Sequence, residues 1–199
     1  MKYLYFLLIF SNFFCFSQSD EYYYDKGVSS YKSQDFLTSI DMFTRAISIN
    51  PINSKAFHGR GRAKKSMQNY NEAIIDYTQA IKINNKYVSA YRDRAVCKEL
   101  LHDVNGAIND YSKAIVLDPK NSIAYNNRGA SKASIKDFNG AIEDFTIAIK
   151  INPKYANAYF NRGKTKYEIN QKNSGCLDFI KSGELGNSKA FEIIEKYCN

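Results

Sequence analysis

The sequence predicts an all-α fold, a solenoid of antiparallel helix pairs closed by a C-terminal capping helix. Three observations carry this: residue types that recur every 34 positions, apolar spacings of three and four within each row, and Pro or Asn at the row ends. Rows beginning at Asp20 align an aromatic column, Tyr23, Phe57, Tyr91, Tyr125 and Tyr159. Four residues later stands a small one, Gly27, Gly61, Ala95, Gly129 and Gly163. A second small column, Ser39, Ala73, Ala107, Ala141 and Gly175, precedes Phe43, Tyr77, Tyr111, Phe145 and Phe179, and then Ala46, Ala80, Ala114, Ala148 and Ser182. The rows close on Pro51, Asn85, Pro119, Pro153 and Asn187.

Each column has a mechanical meaning. Spacings of three and four build one face of an α-helix and exclude a strand. Small residues allow two antiparallel helices to cross closely, and the aromatics fill the wider gaps beside them. This accounts for most of an aromatic content of 15%, all Tyr and Phe. Pro cannot continue a helix, so it ends the second one of each row. A single hairpin cannot bury both apolar faces, whereas a stack makes a continuous core.

Taken in order, residues 1–17 read as a secretory signal peptide: Lys2, an apolar stretch, then small residues with Cys15 and Ser17 at the cleavage positions. The expected location is secreted or periplasmic, with a membrane anchor formed by an uncleaved leader as the alternative. Lipid attachment at Cys15 is disfavoured by bulky Phe14. The hairpins follow at residues 20–53, 54–87, 88–121, 122–155 and 156–187. The fifth is degenerate, with Lys172 in an aromatic column and Gly183 in an Ile column. Residues 188–199 read as the capping helix that such a stack needs at its end.

The columns resemble the tetratricopeptide repeat family, residue type by residue type, over about residues 20–187. The resemblance implies a right-handed superhelical solenoid whose first helices line a concave groove and whose second helices form the convex face. It also implies which side chains face a ligand: Tyr24 and Tyr31 from the first row, Lys55, His58, Arg62 and Lys65 from the second, and Arg92, Asp93 and Glu99 from the third. Asn126 and Asn127 follow from the fourth, then Phe160, Asn161, Lys164 and Tyr167 from the fifth. The groove would therefore be basic early, polar in the middle and aromatic at its far end. The carboxylate clamp of the family is not expected, because Val28, Gly59 and Ser89 occupy matching places.

Where the family usually has Leu, this chain has Lys26, Arg60, Arg94, Arg128 and Arg162. Each Arg is followed sixteen residues later by Asp76, Asp110, Asp144 or Asp178, while the first row has Lys26 with Met42. Joint presence and absence point to ion pairs, within a row or between neighbours, since the guanidinium fork takes a carboxylate bidentately. The alternative is a file of arginines that binds anions. Cys97 stands in a column of small residues and reads as packing. Cys176 and Cys198 lie eleven residues either side of Asn187, which sets them level on antiparallel helices. They read as a disulfide stapling the cap, or as two separate buried thiols.

His58 and His102 stand on different rows, and no metal-ligand spacing, phosphate loop or nucleophile elbow is present. The chain is expected to be a non-enzyme with no cofactor, metal or small-molecule substrate. Its formal charge of +8, about +7 without the leader, does not suggest nucleic acid as the partner of an exported protein. The expected function is an exported scaffold whose groove holds a protein or peptide partner, with possible envelope association. The alternative is an envelope protein that binds acidic glycan or lipid headgroups through its basic surface.

Overall fold

The computed structural model describes residues 19–198, so the leader lies outside the described residues. All regular secondary structure within them is helical: α1 (Asp20–Lys32), α2 (Phe36–Ile49), α3 (Ser54–Ser66), α4 (Tyr70–Ile83), α5 (Val88–Leu100), α6 (Val104–Leu117), α7 (Ser122–Ser134), α8 (Phe138–Ile151), α9 (Ala156–Glu168), α10 (Lys172–Glu184) and α11 (Ser188–Tyr197). Consecutive helices pair into five hairpins, and α11 packs back on α10. None of these helices is long and apolar enough to cross a membrane.

Local chemistry sets the turns. Asp35, Asp103 and Asp137 cap α2, α6 and α8 by accepting the N–H of Thr38, Gly106 and Gly140. Asn53 and Asn121 cap α3 and α7 in the same way. Each first helix ends on a left-handed residue, Gln34, Gln68, His102, Lys136 or Asn170, with φ of 63–64°. At the second turn the Gln68 N–H donates to Lys65 O and the Asn69 N–H to Lys64 O, both at 2.9 Å, closing a Schellman motif.

The core is the aromatic column of the second helices. Phe43, Tyr77, Tyr111, Phe145 and Phe179 are buried, each wedged between helices. A Cβ on Gly61 would sit 2.7 Å from the Tyr77 ring, so the small column is what admits the wedge. In the last hairpin Gly163 and Gly175 bring two backbones together, with an added Cβ 2.8–2.9 Å from the opposing carbonyl. Burying each such ring contributes about 1.5–3 kcal/mol.

A polar ladder runs through the same stack. Arg60, Arg94, Arg128 and Arg162 each grip the Asp of their own hairpin with two parallel bonds of 2.6–3.0 Å. Lys64, Lys98, Lys132 and Lys166 approach the same carboxylates at 2.9 Å. The remaining Nη1 of each Arg donates to Thr44, Thr78, Ser112 or Thr146 of the preceding hairpin at 2.9–3.1 Å. The guanidinium is thus both an intrahairpin clamp and a tie between hairpins. The ladder stops at the end, where Ile180 replaces the hydroxyl and where Ile194, seven residues past the cap Asn187 of α11 as Arg60 is past the cap Asn53 of α3, replaces the Arg.

First helices also contact one another, α1 on α3, α3 on α5 and α7 on α9. In a curved stack the elements that approach most closely lie on the inner side, which makes the first helices the concave face. Cys176 and Cys198 are bonded, with Cα atoms 5.6 Å apart, tying α10 to the end of α11. Cys97 is a buried free thiol whose pKa burial pushes up to about 11.

Candidate binding groove

Two contacts across the concave face share one spacing: the fifth residue of a row meets the sixth residue of the next, 35 positions on. His58 and Asp93 obey it, with Nε2 2.8 Å from Oδ2. Asn161 and Asn126 obey it two hairpins later, the Asn161 amide donating to Asn126 Oδ1 at 3.0 Å. The side chains expected in the groove are therefore partly spent on each other, as rungs between hairpins.

At the early end His58 and Asp93 are both buried. Lys65 Nζ and Arg92 Nη2 approach Asp93 Oδ1 at 3.7 and 3.6 Å. Burial opposes ionisation of Asp93, but the His58 hydrogen bond and the Lys65, His58 and Arg92 charges outweigh it and hold the carboxyl below its usual range. An ionised Asp93 requires a proton on Nε2, and the Tyr87 hydroxyl lies 3.1 Å from Nδ1, donating to it when the ring is neutral and accepting from it when the ring is charged. Burial, with smaller effects of Tyr24 and Asp93, raises the Tyr87 phenol to about 12, which keeps that donor protonated. Both ring nitrogens are engaged, so the cluster holds geometry and has no free base to offer.

Arg62 is exposed and stacks over the Tyr31 ring at 4.5 Å. Lys55 and Tyr24 lie apart from it, around a shallow pocket of about 280 Å³ shared with Asp20 and Asp25. In the middle, Tyr111 donates to Glu99 at 2.8 Å, Ser131 also donates to Glu99, and Asn126 donates to Asn127 at 3.2 Å. At the far end Phe160, Lys164 and Tyr167 come together around a pocket of about 340 Å³. Lys55 with Tyr24, the His58 cluster with Arg62, the amides and the aromatic pocket are thus distinct stations along one face.

Two sets of residues escaped sequence reasoning. Tyr87 stands in the column where Asn53 and Asn121 cap a helix, and α5 has no side-chain cap. A Tyr that displaces a capping Asn was the available signal. Ile193 and Tyr197 of the cap line the aromatic pocket beside Phe179, and only the fold-back of α11 brings them there. Among the described residues no cluster of His, Cys, Asp and Glu could hold a metal ion.

A family model described as TPR repeat matches residues 103–134 and 131–170, and one described as tetratricopeptide repeat matches 54–87. Together they cover just over half of the chain. This is a tetratricopeptide-repeat protein. Solved structures carry the same architecture along nearly its whole length. The crystal structure of MamA protein is 21% identical, with a TM-score of 0.76 over 89% of this chain and 94% of that one. YrrB, a TPR protein with an unusual peptide-binding site, is 14% identical, with a TM-score of 0.74 over 90% and 93%. The first TPR of Spaghetti (RPAP3), bound to an HSP90 peptide, is 24% identical, with a TM-score of 0.58 over 60% and 94%. No curated protein sequence is a significant match. These likenesses establish the tetratricopeptide array as a fold, and the matched families are repeat families rather than enzyme families.

Proposed function

We propose that the chain is an exported, non-enzymatic scaffold that binds protein or peptide partners along the face formed by α1, α3, α5, α7 and α9. The observation that carries this reading is the row of chemically different stations on that face, cationic and aromatic at Arg62 and Tyr31, then amide-rich, then aromatic. An extended chain laid along it meets each station in turn, and such a series selects a sequence rather than one functional group. The peptide-binding site of YrrB and the peptide held by the Spaghetti domain support this use of the fold.

Export is supported by the composition of residues 1–17 and by the Cys176–Cys198 bond, since disulfides persist in oxidising compartments. A partner in an envelope assembly follows from that location. Affinity capture from envelope extract with the processed chain should return a partner that charge reversal at Arg62 and Lys65 releases. Terminal sequencing of the native protein should begin after Ser17. No captured partner, with groove variants behaving as wild type, would sink the scaffold reading.

Arg62 is exposed and forms no ion pair among the described residues, which favours a second reading: acidic glycan or lipid headgroups as the ligand. Salt-sensitive binding to an anionic polymer, abolished by reversal at Lys55, Arg62 and Lys65, would select that reading over the first.

A further inference from the structure

The aromatic pocket is built by three helices. Phe160 and Tyr167 come from α9 and Phe179 from α10, while α11 supplies Ile193 and Tyr197 as the opposite wall. Phe160 leans on Phe179 at 5.5 Å between ring centroids, and Tyr167 meets Tyr197 edge-on at 5.5 Å. The wall is held in place covalently, because Cys198, next to Tyr197, is bonded to Cys176 of α10. At about 340 Å³ the space lies at the small end of ligand sites and suits one bulky side chain.

The polar lining residues argue for what that side chain belongs to. Lys164 and Glu168 are exposed, stand one helical turn apart, and form no ion pair among the described residues. Lys172 and Lys196 stand over the Tyr167 and Tyr197 rings, so the site as a whole is not short of cations, and the distinguishing feature of its lining is the Lys164–Glu168 pair. A donor beside an acceptor is what the C=O and N–H of a peptide unit require. The same two residues also line the neighbouring pocket with Asn161 and Phe138, so the polar strip continues along the groove.

We infer that the α9–α11 pocket is an anchor site for a bulky apolar side chain of an extended peptide, and that the disulfide keeps the site formed by pinning its α11 wall. This rests on the groove reading above and gives it a ligand class. Truncating an aromatic anchor residue of such a pocket removes most of its contribution to binding.

The protein contains no Trp, so the emission of a Trp-bearing peptide reports the bound peptide alone. The probes are blocked Gly-Ser peptides with a single central Trp or, as competitor, Ala. The full processed chain is expected to shift the Trp emission to the blue saturably, and the Ala peptide should not compete. Binding should weaken by about fivefold or more in Phe160→Ala and Ile193→Ala, each checked by circular dichroism for an intact fold, and should be unchanged in Arg62→Glu. A chain carrying Cys176→Ser and Cys198→Ser should bind weakly for want of a fixed wall. Absence of a saturable shift below about 1 mM would overturn the inference, as would binding that Phe160→Ala and Ile193→Ala leave untouched. A captured partner that Arg62→Glu releases and Phe160→Ala does not would overturn the anchor while leaving the groove reading intact. Trp-peptide binding with no captured partner would support the anchor and count against the scaffold.

Discussion

Arg128 illustrates how much rests on one side chain in this array. Its guanidinium holds Asp144 with two bonds and Ser112 of the preceding hairpin with a third, and Asp144 is only 1% exposed. Arg128→Ala leaves that carboxylate buried with Lys132 alone, and breaking such a pair costs about 3–5 kcal/mol. Urea unfolding should register a loss of that order, whereas Lys26→Ala, at an exposed site whose ladder partner position holds Met42, should change stability by less than about 0.5 kcal/mol. Asp93 gives a pH signature of the opposite kind of cluster. Its folded pKa lies below the unfolded value near 3.8, because the His58 bond and nearby cations outweigh burial. A depressed carboxyl pKa contributes its full stability above the unfolded value and loses it as pH falls through the folded one. Relative to wild type, Asp93→Asn should therefore be less stable at neutral pH and lose less on acidification below about pH 4, as read by denaturant midpoints across that range.

At the scale of elements, α11 depends on a bond that closes a 22-residue separation. Loop-closure reasoning assigns such a link about 3 kcal/mol. Reduction is expected to cost the last hairpin an amount of that order, seen as faster hydrogen exchange confined to α10 and α11; uniform change along the chain would contradict a local staple. The hairpins were legible in the sequence because small and aromatic columns are properties of single rows. The ion-pair ladder was legible for the same reason, since Arg60 and Asp76 share a row. What escaped were contacts between rows and turns without glycine. His58 meets Asp93 at a separation of 35, and Tyr87 joins them from the end of a row, where a capping Asn was the pattern. The left-handed turn column reads Gln, Gln, His, Lys and Asn, residues that conceal a backbone conformation usually marked by Gly. The aromatic end of the groove was readable at Phe160 and Lys164, but placing its second wall required knowing which face of α11 turns toward α9.

The whole molecule is a stack whose ends differ from its middle. Tyr22, 42% exposed, stands in the column where Ala56, Ala90, Ala124 and Ala158 are fully buried, and Glu195, counted from the cap Asn187, stands where Gly61 does counted from Asn53. Neither position holds the small residue found at the equivalent places in the middle of the stack. Stability in such an array is a sum over hairpins and the interfaces between them, so a defect propagates according to how many neighbours its unit has. Phe145 of α8 and Phe43 of α2 fill equivalent sites, each about 1% exposed, and truncation of either to Ala opens a cavity costing about 3–5 kcal/mol. The outcomes should nevertheless differ. Phe43 packs against Gly27 and Gly59, so Phe43→Ala can release α1 and α2 while the remaining four hairpins keep their interfaces. Phe145 lies in a unit coupled on both sides, and its loss weakens the link between the central hairpins and the disulfide-closed end. Thermal melts should show an early partial transition for Phe43→Ala and a lowered main transition for Phe145→Ala. Hydrogen exchange should accelerate only in α1–α3 for the first and across α5–α10 for the second. Matching profiles for the two variants would mean that the array unfolds as one indivisible unit, and the nearest-neighbour description would have to be abandoned.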